Sequence, residues 1–267
     1  MRIEIAFLVA MAVFSGTAAS AATDTRKLSA GERAMFERLL CDKPTMQGTD
    51  LTCAALRGYP GDPGATAGAT LSLDSISYGS FSKAGAEEAY LSYGSSIEPH
   101  ANNFGGGVLL TRAGSGWRLV DWYPGGQMDD CLALPGEGKT KMLCLAGYTG
   151  QGEEDSSVWV RELPFDHDVA VLKAQDQRGI GNDVAPEVCA DTTGAAVLLS
   201  IDSLKRATDP AAFAVASITY ATAQDTAEAC KRGKFADVSE NKGEVKIVLD
   251  RGMAKAITPL RFAPTDY

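Results

Sequence analysis

Histidine is almost missing from this 267-residue chain, which carries only His100 and His167. Neither lies near two cysteines, and no C-x-x-C occurs among the six cysteines, so the ligand spacings of structural zinc sites are excluded. The chain also lacks a G-x-S-x-G elbow and a glycine-rich loop opening a helix, which removes the α/β-hydrolase and nucleotide-binding readings. Positive charge is scarce: 25 Lys and Arg stand against 34 Asp and Glu, a net charge of −9, and no cluster of four or more basic residues occurs. Nucleic acid and anionic lipid are poor partners for such a chain. Aromatics make up only 7% of the residues while glycine reaches 28, a composition that predicts many turns and short elements. Nothing calls for a cofactor or a metal.

Long apolar runs are absent too, except at the start. Arg2 precedes an apolar run from Ile5 to Phe14, and Ala19-Ser20-Ala21 follows as a small-residue cleavage site. These are the three parts of a secretory signal peptide. The run has about half the roughly 20 residues of a membrane-spanning helix. The expectation is therefore a signal peptide over residues 1–21, a mature chain from Ala22, and a periplasmic or secreted protein with no membrane anchor after cleavage. Losing Arg2 and Glu4 leaves the net charge unchanged.

In an oxidising compartment an even number of cysteines reads as disulfides. Cys131 to Cys144 forms two apolar runs around Pro-Gly-Glu-Gly, a hairpin signal. With Glu137-Gly138 as the loop, Leu134 faces Lys141, Leu132 faces Leu143, and Cys131 faces Cys144. That last pair is non-hydrogen-bonded, with Cα atoms about 4.5 Å apart, inside disulfide range. Cys41 with Cys53 follows on proximity and Cys189 with Cys230 by elimination.

The pattern predicts a mainly β protein of antiparallel sheets, sandwich or propeller-like blades, with a short N-terminal helix and one or two short C-terminal helices; an α+β fold is the alternative. Ser29-Ala-Gly-Glu32 has the form of a capping box opening a helix that ends near Cys41. Residues 22–56 read as a helical lead, 57–70 as a Gly/Pro-rich linker, and 71–267 as a β-rich domain with a possible division near 175–190. Strand patterns recur from Leu71 to Ala174, most clearly at Val108–Arg112 and Trp117–Asp121, which would pair Arg112 with Trp117 and Leu110 with Leu119. Further strands are expected at Val197–Ile201, Val215–Ala221 and Val245–Leu249, with a helix from Thr226 to Arg232 capped by Asp225 and ended by Gly233.

One stretch, Tyr78-Gly-Ser-Phe-Ser-Lys-Ala-Gly-Ala-Glu-Glu-Ala-Tyr-Leu-Ser-Tyr93, resembles the FG-GAP type of β-propeller repeat, in which glycine and phenylalanine precede a loop, an acidic residue and an apolar strand. The resemblance covers sixteen residues and implies a blade-like sheet, with Asp130 to Val160 as a second unit of similar layout. The family's calcium-binding loop carries aspartates, whereas Ser82 to Ala86 has no carboxylate, so no metal role carries over.

Candidate chemistry concentrates in a polar loop, Gly147 to Ser157, holding Tyr148, Glu153 and Glu154, and in Asp129-Asp130 before a strand. Carboxylates converging at one end of a sheet suit a cation or a basic partner; a solvated loop is the plain alternative. His100, in the glycine-rich loop Pro99 to Gly107, and His167, between Asp166 and Asp168, each have the chemistry of an acid, base or ligand, although Asp-His-Asp also suits a polar turn. Ser80-Phe-Ser-Lys83 matches S-x-x-K but sits at a glycine-rich turn, with only Lys139-Thr-Lys141 in place of the required Lys-Thr-Gly. The leading expectation is an exported, disulfide-stabilised, non-catalytic protein binding an unknown protein or glycan. The alternative is a periplasmic carbohydrate or cell-wall hydrolase using Asp129 or Asp130 with Glu153 or Glu154, roughly 5 to 9.5 Å apart in a cleft lined by Trp117, Trp122 or Trp159.

Overall fold

The computed structural model describes residues 21–47, 50–60, 63–150, 153–176, 189 and 195–262. The expected signal segment through residue 20 and most of the 175–190 stretch lie outside them. The chain enters through β1 (Arg26–Lys27), α1 (Ala30–Leu40) and four short strands, β2 (Cys41–Asp42), β3 (Thr45–Gln47), β4 (Asp50–Thr52) and β5 (Ala55–Leu56). Both halves of the expected capping box are formed: Ser29 Oγ accepts from the Glu32 N–H, and the Glu32 carboxylate accepts from the Ser29 N–H at 2.9 Å. The short strands carry too few residues for alternation to show in sequence.

Three four-stranded antiparallel meanders follow. Sheet I comprises β6 (Thr70–Gly79), β7 (Glu88–Ser95), β8 (Gly105–Ala113) and β9 (Gly116–Pro124), extended beyond β6 by β4, β3 and β1. Sheet II comprises β10 (Asp130–Ala133), β11 (Met142–Gly150), β12 (Glu153–Arg161) and β13 (Val169–Asp176). In sheet III, β14 (Val197–Arg206) and β15 (Ala214–Ala221) lead through α2 (Ala223–Arg232) to β16 (Asn241–Asp250) and β17 (Met253–Ile257). The mainly β, antiparallel expectation holds, and its two hairpin registers hold residue by residue: Leu110 pairs with Leu119, Arg112 with Trp117, and Cys131 with Cys144.

Period-2 alternation explains the layering. On β7 and β8, Ala89, Leu91, Tyr93, Val108 and Leu110 point to a core shared with Phe36 and Leu40 of α1. Tyr90 and Leu109 point the other way, with Phe81, onto Cys131, Ala133, Met142 and Cys144 of sheet II. On β11 the alternation is apolar on both sides, because Leu143 and Leu145 face sheet III, where Leu198, Ile201, Ala216, Ile218, Val245 and Ile247 meet them. The far side of sheet III buries Val197, Leu199 and Ala221 against Ala229 of α2 and the following Phe235 and Val238. The order of layers is α1, sheet I, sheet II, sheet III, α2. Face-to-face packing is that of a sandwich, repeated once more.

All three expected disulfides are formed: Cys41–Cys53, Cys131–Cys144 with Cα atoms 4.0 Å apart, and Cys189–Cys230. Other expectations need correction. The cap of α2 is Thr222, three residues earlier than expected; Asp225 is its partner, and the two reciprocate as a capping box before the helix ends at Gly233 in the left-handed conformation. Of the expected loop from Gly147 to Ser157, residues 147–150 and 153–157 are strand, since β11 and β12 stay paired out to Gly150 and Glu153, and residues 151 and 152 lie outside the described residues. Gly105, Gly106 and Gly107 belong to β8 rather than to the preceding loop. A Cβ on Gly107 would fall inside the Tyr90 side chain, whose hydroxyl crosses the strand to donate to the Gly126 carbonyl at 2.6 Å.

Before β1 the chain ties the layers together. The Thr23 N–H donates to the Tyr78 carbonyl of sheet I and the Thr25 N–H to the Cys131 carbonyl of sheet II, both at 2.9 Å. Between them the Asp24 carboxylate accepts from the Ala133 N–H at 2.8 Å and from Arg206 of sheet III at 2.5 Å.

Candidate functional site

Where the chain leaves β9 for β10 it borders a cleft of about 450 Å³ between the ends of sheets I and II. Asp129 lines it from the connection, Asp130 from the first position of β10, Trp159 and Arg161 from β12, Asp168 from the β12–β13 turn, and Asn103 from the β7–β8 loop. Trp159 and Arg161 are two residues apart on a strand and so share a face.

Arg161 is the most engaged polar group in the cleft. Its Nε donates to Asp168 Oδ2 at 2.8 Å, its Nη1 donates to the Gln127 carbonyl at 2.6 Å, and the guanidinium stands 4.4 Å from the centroid of the Phe165 ring. Nη2 has no protein partner among the described residues. Asp168 Oδ1 is buried and likewise unpartnered. Asp129 accepts from Ser75 Oγ at 2.9 Å. Surrounding protein pushes its carboxyl above the usual range, against that hydrogen bond, and the nearby charges of Asp74 and Asp130 push the same way. Solvent still reaches Asp129 through the cleft.

The β7–β8 loop is held from beneath by a carboxylate that sequence reading passed over. Glu98, only 4% exposed, accepts from the hydroxyls of Tyr59 and Tyr93 at 2.6 Å each and from Asn102 Nδ2 at 2.9 Å. Gln127 Nε2 closes the loop from the cleft side, donating to the carbonyls of Asn102 and Asn103. Asn103 and Phe104 both adopt left-handed backbone, with φ of 49° and 54°, uncommon for residues with a Cβ. The result is Phe104 turned outward, 53% exposed.

Two residues singled out separately meet here. His100 Nδ1 and the Tyr148 hydroxyl are 3.3 Å apart, and the His100 ring lies edge-on to Tyr148 at 5.4 Å and to Phe104 at 5.2 Å. Asn103 and Gly147, which line the cleft, are the chain neighbours of Phe104 and Tyr148, so this aromatic cluster stands next to the cleft's lining. Glu153 and Glu154 pair with Gly150 and Thr149, whereas Asp130 pairs with Leu145. Their backbone is thus four or five residues, about 13 Å or more, further along the sheet than Asp130. His167 is 84% exposed beside Asp166, in the polar turn its flanking aspartates suggest.

Of the three tryptophans, Trp159 alone belongs to the cleft. Trp117 packs on Phe36 and Tyr78, and Trp122 lies between Tyr59 and Tyr93, both on the opposite side of sheet I. The S-x-x-K serine is also accounted for: the Ser80 N–H donates to Thr140 Oγ1 at 2.8 Å and the Thr140 N–H donates to the Ser80 carbonyl at 2.9 Å. Ser80 is buried, and its Oγ donates to the Ala86 carbonyl at 2.7 Å. In the segment with the FG-GAP resemblance, the buried Glu88 carboxylate accepts from the N–H and hydroxyl of Ser82, so it organises the loop by hydrogen bonding.

Among the described residues no group of three or more His, Cys, Asp or Glu is arranged to hold a metal ion, and no helix is long and apolar enough to cross a membrane. No family model, curated protein or solved structure matches the chain.

Proposed function

We propose that this chain is an exported, non-catalytic binding protein whose ligand site is the cleft between sheets I and II and the aromatic cluster next to it. The observation that carries the reading is the meeting of His100 and Tyr148. They are 48 residues apart in sequence, one on the connection between two strands of sheet I and the other on a strand of sheet II, yet they join one residue along the chain from the lining of a cleft containing Asp129 and Asp130. A pocket of this size, mixed in polarity and flanked by exposed aromatics, has the character of a small-ligand site. Three disulfides suit an oxidising compartment, and the N-terminal sequence supplies the export signal. The non-catalytic part rests on geometry. Asp168 is occupied by Arg161, and the carboxylates at Glu153 and Glu154 start from backbone well removed from Asp129 and Asp130.

The test has two arms. Expressed as the full chain in a bacterial host with intact secretion, the protein should appear outside the cytoplasm with Ala22 as its first residue by intact mass; an uncleaved cytoplasmic product overturns export. Immobilised mature protein should retain from periplasmic extract a small ligand, read by mass spectrometry, that the Trp159→Ala variant does not. Equal retention by both proteins, or turnover of the ligand, overturns the binding reading.

A further inference from the structure

The groups lining the cleft are complementary in an unusual way. Asp129 and Asp130, both exposed, can only accept hydrogen bonds when ionised, while Arg161 Nη2 can only donate. A ligand must therefore offer donors and acceptors within a few ångströms of each other. A phosphate or carboxylate would gain from Arg161 but would stand against the surrounding aspartates. A lone ammonium would gain from the aspartates but would face the guanidinium of Arg161 in the cleft's lining, with the Lys173 ammonium already 5.2 Å from the Trp159 ring centroid. Vicinal hydroxyls on an uncharged ring meet both demands, since each hydroxyl donates one hydrogen bond and accepts others. The remaining surface of such a ring is C–H, which packs against an aromatic face as other apolar groups do. Trp159 supplies that face, and Lys173, on its flexible stem, can swing aside from it.

We infer that the cleft holds a neutral pyranose unit of a glycan, packed on Trp159 and hydrogen-bonded through Arg161, Asp129 and Asp130. This rests on the proposed binding role of the cleft. His100, Phe104 and Tyr148 then extend the site outward, as an aromatic platform for the adjoining sugar of the chain.

Titration of the mature protein with maltotetraose, cellotetraose and chitotetraose, followed by tryptophan fluorescence and calorimetry, tests it, with tetralysine and a sulfated heparin tetrasaccharide as charged probes. At least one neutral tetrasaccharide should bind. Its affinity should fall about tenfold or more in Trp159→Ala, as loss of an aromatic contact and its packing implies, and stay unchanged in Lys255→Ala on the distant edge strand β17. Should Trp159→Ala lose its fold by circular dichroism, Asp130→Ala takes its place, because that side chain is exposed and carries no packing. If only a charged probe binds, and the cleft variants abolish it, the sugar inference is overturned while the binding site stands. If no probe binds, or binding is indifferent to the cleft variants, both fall.

Discussion

Around Glu32 the fold gathers donors: Arg26 through two nitrogens at 2.6 and 2.9 Å, the Tyr78 hydroxyl at 2.6 Å, and the N–H and hydroxyl of Ser29. Together, Arg26 foremost, they hold its carboxyl well below the usual range. Asp129 is the reverse, pushed up by its surroundings. The two must leave opposite marks on stability. Where the folded form has the lower pKa, the unfolded chain binds more protons, so Glu32 contributes fully above the ordinary glutamate value near 4.5 and the contribution is lost as pH falls below it. Where the folded form has the higher pKa, stability falls as pH rises from the ordinary aspartate value near 3.8 through the raised one. Denaturant melts across pH 3 to 8 should accordingly show Glu32→Gln less stable at neutral pH, with a weaker acid dependence, and Asp129→Asn more stable at neutral pH. A destabilised Asp129→Asn would deny the aspartate its cost to folding, a cost expected of a side chain kept for binding. Gly107 makes a plainer prediction. Alanine there must displace the Tyr90 ring and its bond to Gly126, and an unfolding titration should show a loss of about 1–3 kcal/mol.

At the scale of elements, legibility followed the strength of the local pattern. The β10–β11 register was readable because two cysteines, a glycine-bearing turn and apolar alternation all point to one pairing, and the Leu134 N–H does donate to the Lys141 carbonyl at 2.9 Å, the hydrogen-bonded pair that this register requires. The start of α2 was misread because Asp225 and Thr222 are both good caps, and only the structure shows that the helix begins at Ala223. That distinction is measurable: Thr222→Ala should cost about 0.5–2 kcal/mol in thermal unfolding, the range for a lost N-cap. A negligible change there would return the cap to Asp225. The strand pairing of residues 147–150 with residues 153–156 escaped sequence reading for the opposite reason. Its polar and glycine residues carry no apolar alternation, and only pairing with neighbouring strands makes them β. The site itself was half visible. Asp129, Asp130, His100, Tyr148 and Trp159 stand out as residue types, whereas Arg161, Gln127, Asn103 and Glu98 acquire meaning only from partners distant in sequence.

The stacking of three sheets was not read from sequence, yet a signal for it exists. Met142-Leu143-Cys144-Leu145 is apolar on both faces, as a strand in a middle layer must be, while β16 and β17 alternate because only one side is covered. What holds the middle layer in register with its neighbours is the segment right after the expected cleavage point. Asp24 neutralises Arg206, which also donates to the Ala133 carbonyl at 2.7 Å and lies over Phe213 at 4.3 Å. The same aspartate caps the Ala133 N–H, so that one side chain joins sheets II and III while Thr23 and Thr25 join I and II. Asp24→Ala should therefore do more than remove a partly exposed ion pair, which alone is worth little. It leaves the Ala133 N–H without its acceptor next to a buried residue, a loss of about 1–3 kcal/mol. Hydrogen exchange should rise at Asp130–Ala133 and Leu204–Arg206 while α1 and β8 stay protected. If exchange rises evenly over the whole chain, the N-terminal tie stabilises the fold only globally; if it does not rise at all, the sheets are held by their apolar faces alone.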